Sequence, residues 1–178
     1  MSTFQIALSI CALILLTALM LTVNRTSVDR GSDMIMSEVS ISALSIAQAT
    51  LAEIDTKAFD QANIESDGSR IQVEDVNELT QFTHFGPDTG ENTRHDFNDV
   101  DDYYGYTETI HTNYHTGFEL SVDVTYADNL GNPTTARTHY KLVEVRVWHP
   151  NMENNIGPQS MEGVLLRKLI SNNAIRNQ

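Results

Sequence analysis

The chain has 178 residues, of which 40% are apolar and 20% are charged, and this composition is typical of one globular domain rather than a disordered chain. Its 24 acidic and 11 basic residues give a formal net charge of −13. Nucleic-acid binding needs a basic surface, so we expect no nucleic-acid partner. The single cysteine, Cys11, excludes an internal disulfide bond and a zinc site built from several cysteines.

The first 24 residues carry no charged side chain, and residues 4–23 form an almost uninterrupted apolar stretch. A helix of that length covers about 30 Å, the thickness of the hydrocarbon core of a bilayer. We therefore predict a helix that spans, or derives from, a membrane. A cleaved secretory signal is the weaker alternative, because it has a basic start and a shorter apolar run. Arg25 and Arg30 favour a cytoplasmic C-terminal part, although large domains cross membranes regardless of local charge.

The helical pattern continues beyond the apolar stretch. We predict one helix from about Ser2 to about Phe59, with Gly31-Ser32 as its weak point. This divides the chain into a transmembrane or filament-core helix over 1–27, an amphipathic continuation over 28–59 and an acidic β-sheet head domain over 60–178. The apolar residues that recur at helical spacing in the continuation are Met34, Ile35, Val39, Leu44, Ala47, Leu51, Ile54 and Ala58.

The remaining residues predict loops followed by strands. Turn-forming residues are frequent over 60–100, and residues 118–126 alternate between apolar and polar, as in a half-buried antiparallel strand. A turn over 128–133 leads to a return strand over 135–148, with a bulge where the alternation changes phase at Leu142-Val143. We also predict a strand over 104–111, a loop over 151–158 and either a strand or a short helix over 163–171. The fold class is therefore α+β: a long N-terminal hydrophobic helix packed on a small antiparallel sheet of three or four strands.

Four carboxylates lie within seven residues in the segment 96–102, here called the acidic loop: Asp96, Asp99, Asp101 and Asp102. The favoured interpretation is a solvated acidic surface. The alternative is a weak calcium site, because calcium prefers carboxylate oxygens, although the spacing does not match an EF-hand. The sequence contains no Gly-rich phosphate loop, no Gly-x-Ser-x-Gly and no His-Glu-x-x-His. We therefore expect no enzyme activity and no cofactor other than possible calcium.

Three features together resemble the type IV pilin superfamily, which includes the pseudopilins of type II secretion. They are the apolar helix that continues into an amphipathic one, the segment Ala43–Ile54, and the segment Asp96–Tyr106 followed by a hairpin. The last two are similar to the minor-pilin and I-type pseudopilin branch. The N-terminus diverges from the family pattern: no basic leader ending in Gly precedes the apolar run, and Gln5 stands where the family has a Glu.

The resemblance implies a homo-oligomeric, helical, extracellular type IV pilus-like filament with the chain as its structural subunit. The subunit would sit in the bacterial inner membrane before assembly, and its acidic β domain would face solvent at the cell surface. The alternative is a minor pseudopilin, or a single-span membrane-anchored protein whose acidic domain binds a partner. The side chains expected to form the assembly and membrane helix are Phe4, Ile6, Leu8, Ile10, Leu13, Leu16, Leu19 and Leu21.

Overall fold

The computed structural model describes residues 2–152 and 163–172, apart from the side chains of Ala7, Ser9 and residues 26–33. The first element is helix α1, Thr3–Asp55. Five strands follow in chain order: β1 Thr107–His111, β2 Thr116–Ala127, β3 Pro133–Thr134, β4 Tyr140–Trp148 and β5 Val164–Ser171. The structure is therefore α+β, as predicted from the sequence.

The chain falls into two compact units, Met1–Val39 and Ser40–Gln178. The second is called the head unit below. Helix α1 contributes to both units and remains helical at Gly31 and Ser32. One glycine inside a helix costs only about 1 kcal/mol relative to alanine, which the neighbouring helix formers can offset. The predicted weak point therefore does not interrupt the helix, which ends four residues earlier than predicted.

Small side chains on α1 contribute to the core of the head unit. Ala43, Ala47, Thr50 and Ile54 follow one another at intervals of four, three and four residues, and each is buried. Leu44, one of the apolar residues that recur at helical spacing, is 37% exposed. Alanine rather than leucine occupies the inward face of the helix at this point. Small residues at such a contact let two elements approach closely.

The sheet is antiparallel, with strand order β1-β2-β4-β5, and the short strand β3 also pairs with β2. The strand predicted over 118–126 and the turn after it are confirmed. The return strand begins at Tyr140 rather than at 135, and β1 begins at Thr107. The segment 163–171, which could have been strand or helix, contains β5. The loop predicted over 151–158 lies mostly outside the described residues.

The predicted bulge at Leu142-Val143 is wrong. Strands β2 and β4 pair in unbroken register from Glu119 opposite Trp148 to Tyr126 opposite Lys141. The inward face of β4 consists of Lys141, Val143, Val145 and Val147, all buried. The prediction rested on the apolar Tyr140 and Leu142, which alternate in one phase and are followed by valines in the other. Strand β4 instead alternates regularly, and its first inward side chain is Lys141.

Irregular backbone with short 3-10 turns connects α1 to β1. This segment closes the core next to β2, because Val73, Leu79, Phe85, Phe97 and Val100 are all buried. It is attached directly to the chain that follows α1: the backbone N–H of Ala58 donates to the Asn98 carbonyl, and the Val100 N–H donates to the Ala58 carbonyl. The acidic loop is thereby held against the end of the helix.

Candidate functional site

The apolar segment of α1, Thr3–Arg25, exposes nearly all of its large side chains. Twelve large hydrophobic residues between Phe4 and Val23 are each between 49% and 75% exposed. They point in every direction around the helix, so the segment is apolar on all sides. The eight side chains predicted for the assembly helix are all among them: Phe4, Ile6, Leu8, Ile10, Leu13, Leu16, Leu19 and Leu21.

Hydroxyl groups in the apolar segment bond to their own helix. Thr17 Oγ1 donates to the carbonyls of Leu13 and Ile14 at 3.0 and 2.9 Å, and Thr22 Oγ1 donates to the Ala18 carbonyl at 2.9 Å. A hydroxyl satisfied in this way can enter hydrocarbon or a packed helix bundle at low cost. The two threonines therefore do not oppose burial of the segment.

Two parts of α1, Thr3–Arg25 and Met34–Asp55, are long and apolar enough to cross a membrane by length and composition. This observation is weak evidence for membrane insertion, since signal sequences and core helices share these properties. The second part contributes buried residues to the head unit, whereas the first has none buried. The first part is therefore the better candidate for a membrane-spanning segment.

Large apolar side chains are also exposed on the part of α1 that belongs to the head unit. Ile41 is 64% exposed and Leu44 is 37% exposed. They lie within residues 39–52, which contain no charged residue. An amphipathic helix on a solvated domain normally presents charged side chains on its outer face. This face is instead uncharged, with Ile41 and Leu44 exposed beside Ser45 and Gln48, as expected of a contact surface.

The acidic loop does not form a solvated surface. Asp99, Asp101 and Asp102 are at most 3% exposed, and only Asp96 lies in the open. The expectation of a solvated loop is therefore wrong for three of the four carboxylates. Asp102 Oδ2 accepts the backbone N–H groups of Asn98 and Asp99 at 2.9 and 3.0 Å. Backbone hydrogen bonds of this kind compensate for the water that burial removes.

The four predicted calcium ligands are engaged separately. Asp96 Oδ2 accepts hydrogen bonds from the backbone N–H groups of Asn92 and Thr93, and Asp99 Oδ1 accepts those of Asp101 and Asp102. Within the described residues, no group of three or more His, Cys, Asp or Glu side chains is arranged to hold a metal ion. The calcium alternative therefore has no support in the geometry.

The partner of Asp101 is Lys141, the inward lysine of β4. Lys141 Nζ lies 2.5 Å from Asp101 Oδ1 and 2.9 Å from Asp60 Oδ2, and it donates to the Phe59 carbonyl at 2.6 Å. The side chains of Lys141 and Asp60 are entirely excluded from solvent, and that of Asp101 is 5% exposed. Together with Asp99 they form what we call the buried charge cluster: Asp60, Asp99, Asp101 and Lys141.

The carboxyl groups of this cluster differ in their affinity for protons. Burial alone would raise the pKa of Asp60, but the charge of Lys141 and hydrogen bonds from Lys141, Ala62 and Thr80 hold that pKa below its ordinary value. Burial raises the pKa of Asp101, against the opposing charge of Lys141. Burial and the negative charge of Asp101 raise the pKa of Asp99 to about 10. Asp60 is therefore an anion at neutral pH, whereas Asp99 is a neutral acid.

A second ionic group connects the loop region to α1. Arg94 Nη2 lies 2.7 Å from Glu53 Oε2, Arg94 Nη1 lies 2.8 Å from Glu108 Oε2, and the Tyr103 hydroxyl donates to Glu53 Oε1 at 2.7 Å. One carboxylate on the helix thus accepts hydrogen bonds from two side chains of the segment between α1 and β2. These contacts fix the end of α1 to the rest of the head unit.

Sequence reasoning missed Lys141 and Asp60. The signal was present in part: Lys141 falls in phase with Val143, Val145 and Val147, so strict alternation alone would have placed it inside. The apolar Tyr140 and Leu142 suggested the other phase at this end of the strand, and lysine is rarely a fully buried residue. Nothing local marks Asp60, which approaches Lys141 from 81 positions earlier in the chain.

Comparison with known proteins gives no further information about family. No protein-family model matches the chain, and neither a curated protein nor a solved structure matches it significantly.

Proposed function

We propose that this chain is a structural subunit of an extracellular type IV pilus-like filament, in which bundled N-terminal helices form the core and the acidic head unit faces solvent. In this proposal the chain has no catalytic role. Two observations carry it: the apolar segment exposes twelve large hydrophobic side chains, and the part of α1 in the head unit exposes Ile41 and Leu44.

The apolar segment requires a non-aqueous environment. Burying one large aliphatic or aromatic side chain contributes about 1.5–3 kcal/mol, and twelve such side chains are exposed here. A bilayer and a bundle of identical helices both satisfy this requirement. The same surface can therefore hold the subunit in the inner membrane and later contact neighbouring subunits.

Exposed apolar residues outside the apolar segment favour assembly over simple anchoring. A bilayer is spanned by about 20 helical residues, which the segment Thr3–Arg25 already supplies. Ile41 and Leu44 lie well beyond that segment and are still apolar and exposed. An anchored monomer has no need of such residues in water, whereas a filament can bury them between subunits.

The distribution of charge agrees with an outward head. Residues 60–132 contain 16 acidic side chains against only Arg70 and Arg94, and all of the acidic ones except Asp60, Asp99, Asp101 and Asp102 lie outside the buried core. A surface of one sign keeps an assembly soluble and opposes its lateral aggregation. The apolar segment Thr3–Arg25 contains no acidic residue, so the surface assigned to the filament core carries no negative charge of its own.

The proposal is tested by shearing cells that express the chain, pelleting the extracellular high-mass fraction and measuring the intact mass of the protein there. We expect the chain in that fraction. Leu13→Asp should remove it, because a carboxylate in the middle of the apolar segment costs several kcal/mol of desolvation free energy. Leu130→Asp is the matched control, since Leu130 is exposed on the β2–β3 turn.

Two outcomes would contradict the filament proposal. One is that the unaltered chain remains entirely with the cell membrane after shearing, which would favour the minor pseudopilin or the single-span anchored protein with a partner-binding head. The other is a normal filament yield from Leu13→Asp.

A further inference from the structure

We propose that Lys141 and Asp101 join covalently, forming an intramolecular isopeptide bond between Lys141 Nζ and Asp101 Cγ that attaches β4 to the acidic loop. This modification site is independent of the filament proposal, because it lies within the core of the head unit. The chain has one cysteine and so cannot form an internal disulfide bond. An isopeptide bond would provide a covalent cross-link by another chemistry.

The two reacting groups are already in contact. Lys141 Nζ lies 2.5 Å from Asp101 Oδ1, and the two residues are 40 positions apart in the chain. Two groups held in this way react as if each were present at a very high concentration, since no translational or rotational freedom remains to be lost. Contact alone is not sufficient, however, because surface lysines and aspartates in contact remain ions.

Burial distinguishes this pair from a surface ion pair. The Lys141 side chain is fully excluded from solvent, and the Asp101 side chain is 5% exposed. In a medium of low dielectric constant, a neutral amine and a neutral carboxylic acid become more accessible relative to the ions. Exclusion of water also protects the amide product from hydrolysis.

Aromatic rings surround the amine. Lys141 Nζ lies 4.6, 4.9 and 5.6 Å from the ring centroids of Phe59, Phe85 and Tyr126. These rings fill the space that water would otherwise occupy and restrict the rotamers of the lysine side chain. The amine is thereby held against the carboxyl groups.

Asp101 rather than Asp60 is the residue that reacts. The Asp60 carboxylate accepts hydrogen bonds from the Thr80 backbone N–H and hydroxyl, the Ala62 N–H and Lys141. These donors stabilise it as an anion, which is a poor electrophile. Asp101 has fewer donors, and burial raises its pKa, which favours the neutral acid that an amine can attack.

Asp99 can supply a proton to the reacting carboxyl group. Its Oδ1 accepts the backbone N–H groups of Asp101 and Asp102 at 2.8 and 3.3 Å, which fixes its orientation. Because its pKa is raised to about 10, the Asp99 carboxyl is protonated at neutral pH and donates a hydrogen bond to the Asp101 carboxylate. A positioned neutral acid of this kind is the usual partner of a nucleophile in acyl transfer.

The reaction balances without a further reagent. The Lys141 ammonium gives one proton to the Asp101 carboxylate that it contacts, which leaves a neutral amine and a neutral carboxylic acid. The amine lone pair attacks Asp101 Cγ and forms a tetrahedral adduct. Asp99 gives its proton to a hydroxyl of this adduct, the C–O bond breaks as water leaves, and the nitrogen returns a proton to Asp99. One ammonium and one carboxylate thus become one amide and one water, with Asp99 unchanged.

The test is the intact mass of the purified full-length chain, unfolded in denaturant, followed by peptide mapping. We expect a mass lower than that of the sequence by one water molecule, and a branched peptide that joins Lys141 to Asp101. The chain contains its own control, because Lys168 Nζ lies 2.8 Å from Asp55 Oδ1 with both side chains more than one-third exposed. That pair should be recovered as two unlinked peptides.

Variants then separate the roles of the residues. Lys141→Arg and Asp101→Ala should each restore the full mass. Asp99→Asn preserves the Oδ1 acceptor but removes the acidic proton, and should slow bond formation after refolding by about a hundredfold. A wild-type chain with the full sequence mass and a linear Lys141 peptide would overturn the proposal. A link from Lys141 to Asp60 would overturn the assignment of Asp101, and an unchanged rate in Asp99→Asn would overturn the role of Asp99.

Discussion

A lysine ammonium enclosed in a protein core loses its hydration, and only well-placed acceptors can compensate for that loss. Lys141 has an acceptor for each of its three N–H groups: the Phe59 carbonyl, Asp60 and Asp101. Such a cluster fixes the relative positions of β4, the end of α1 and the acidic loop, because displacing any one of them leaves a buried charge without a partner. Individual residues thus determine how these elements meet.

At the residue scale, Glu91 makes the stability of the head unit depend on pH. Burial, together with the hydrogen bond to Asp102 and the negative charges of Asp102 and Asp88, raises the pKa of Glu91 from 4.5 to about 7. Since the folded state binds this proton more tightly than the unfolded state, the associated stability is complete below about pH 4.5 and is lost as the pH rises through about 7. The raised pKa of Asp99 likewise stabilises the folded state, and this contribution is lost only as the pH rises through about 10.

We therefore expect the melting temperature of the head unit to fall between about pH 5 and about pH 8.5, over the range in which Glu91 loses its proton. Glu91→Gln mimics the protonated side chain and should flatten that part of the profile. Glu119→Gln, an exposed position on β2, is the control and should retain the wild-type slope. Thermal melts over this pH range measure the effect, and equal slopes for the wild type and Glu91→Gln would contradict it.

At the scale of elements, two packed faces combine in the head unit. Strand β2 contributes Phe118, Leu120, Val122 and Val124, and the helix contributes Ala43, Ala47 and Ile54. Strand alternation was read correctly for β2, where every inward residue is apolar, and incorrectly for β4, where one is charged. On α1 the small residues Ala43 and Ala47 are likewise buried, whereas the larger Ile41 and Leu44 are exposed.

Substitutions on the two faces of β2 test which of its side chains point into the core. Val122 is 2% exposed and pairs with Val145, so Val122→Asp would place a carboxylate in the core. We expect it to lower the free energy of unfolding by at least about 3 kcal/mol. Ser121→Asp lies one residue away on the opposite face, across from Arg146, and should change it by less than about 1 kcal/mol.

Denaturant unfolding of the full chain in detergent, followed by the fluorescence of Trp148, measures both variants. Trp148 is the only tryptophan and lies on β4, so its signal reports directly on the sheet. Equal losses of stability in the two variants would contradict the assigned facing.

At the scale of the whole molecule, the proposed assembly depends on α1 beyond the membrane. Ile41→Lys introduces a charge into the exposed, uncharged face of residues 39–52 and leaves the apolar segment unaltered. If that face packs between subunits, filament yield should fall at least tenfold, because an unpaired buried charge costs several kcal/mol. The membrane-bound amount and the melting temperature should be unchanged.

Leu130→Lys provides the control, since Leu130 is 81% exposed on a turn of the head unit. It should yield normal filaments in the sheared fraction, as should the wild type. Normal filament yield from Ile41→Lys would mean that this face is not a subunit contact, and would favour an anchored protein.

Much of the fold could be predicted from local patterns in the sequence. The apolar segment, the continuation of α1 and the alternation of β2 each depend on neighbours within a few residues, and periodicity in the sequence records them directly. The separation of an acidic head unit from the uncharged first 24 residues is likewise visible in composition alone.

Only the tertiary structure determined which charged residues are buried and which groups they contact. Asp60 and Asp101 contact Lys141 although they precede it by 81 and 40 positions, and no local pattern encodes such contacts. Whether a carboxylate is solvated or buried depends on the elements packed around it. The acidic loop was therefore recognisable from the sequence as a group of carboxylates, but its role as the partner of a buried lysine emerged only when the sheet, the helix end and the loop were brought together.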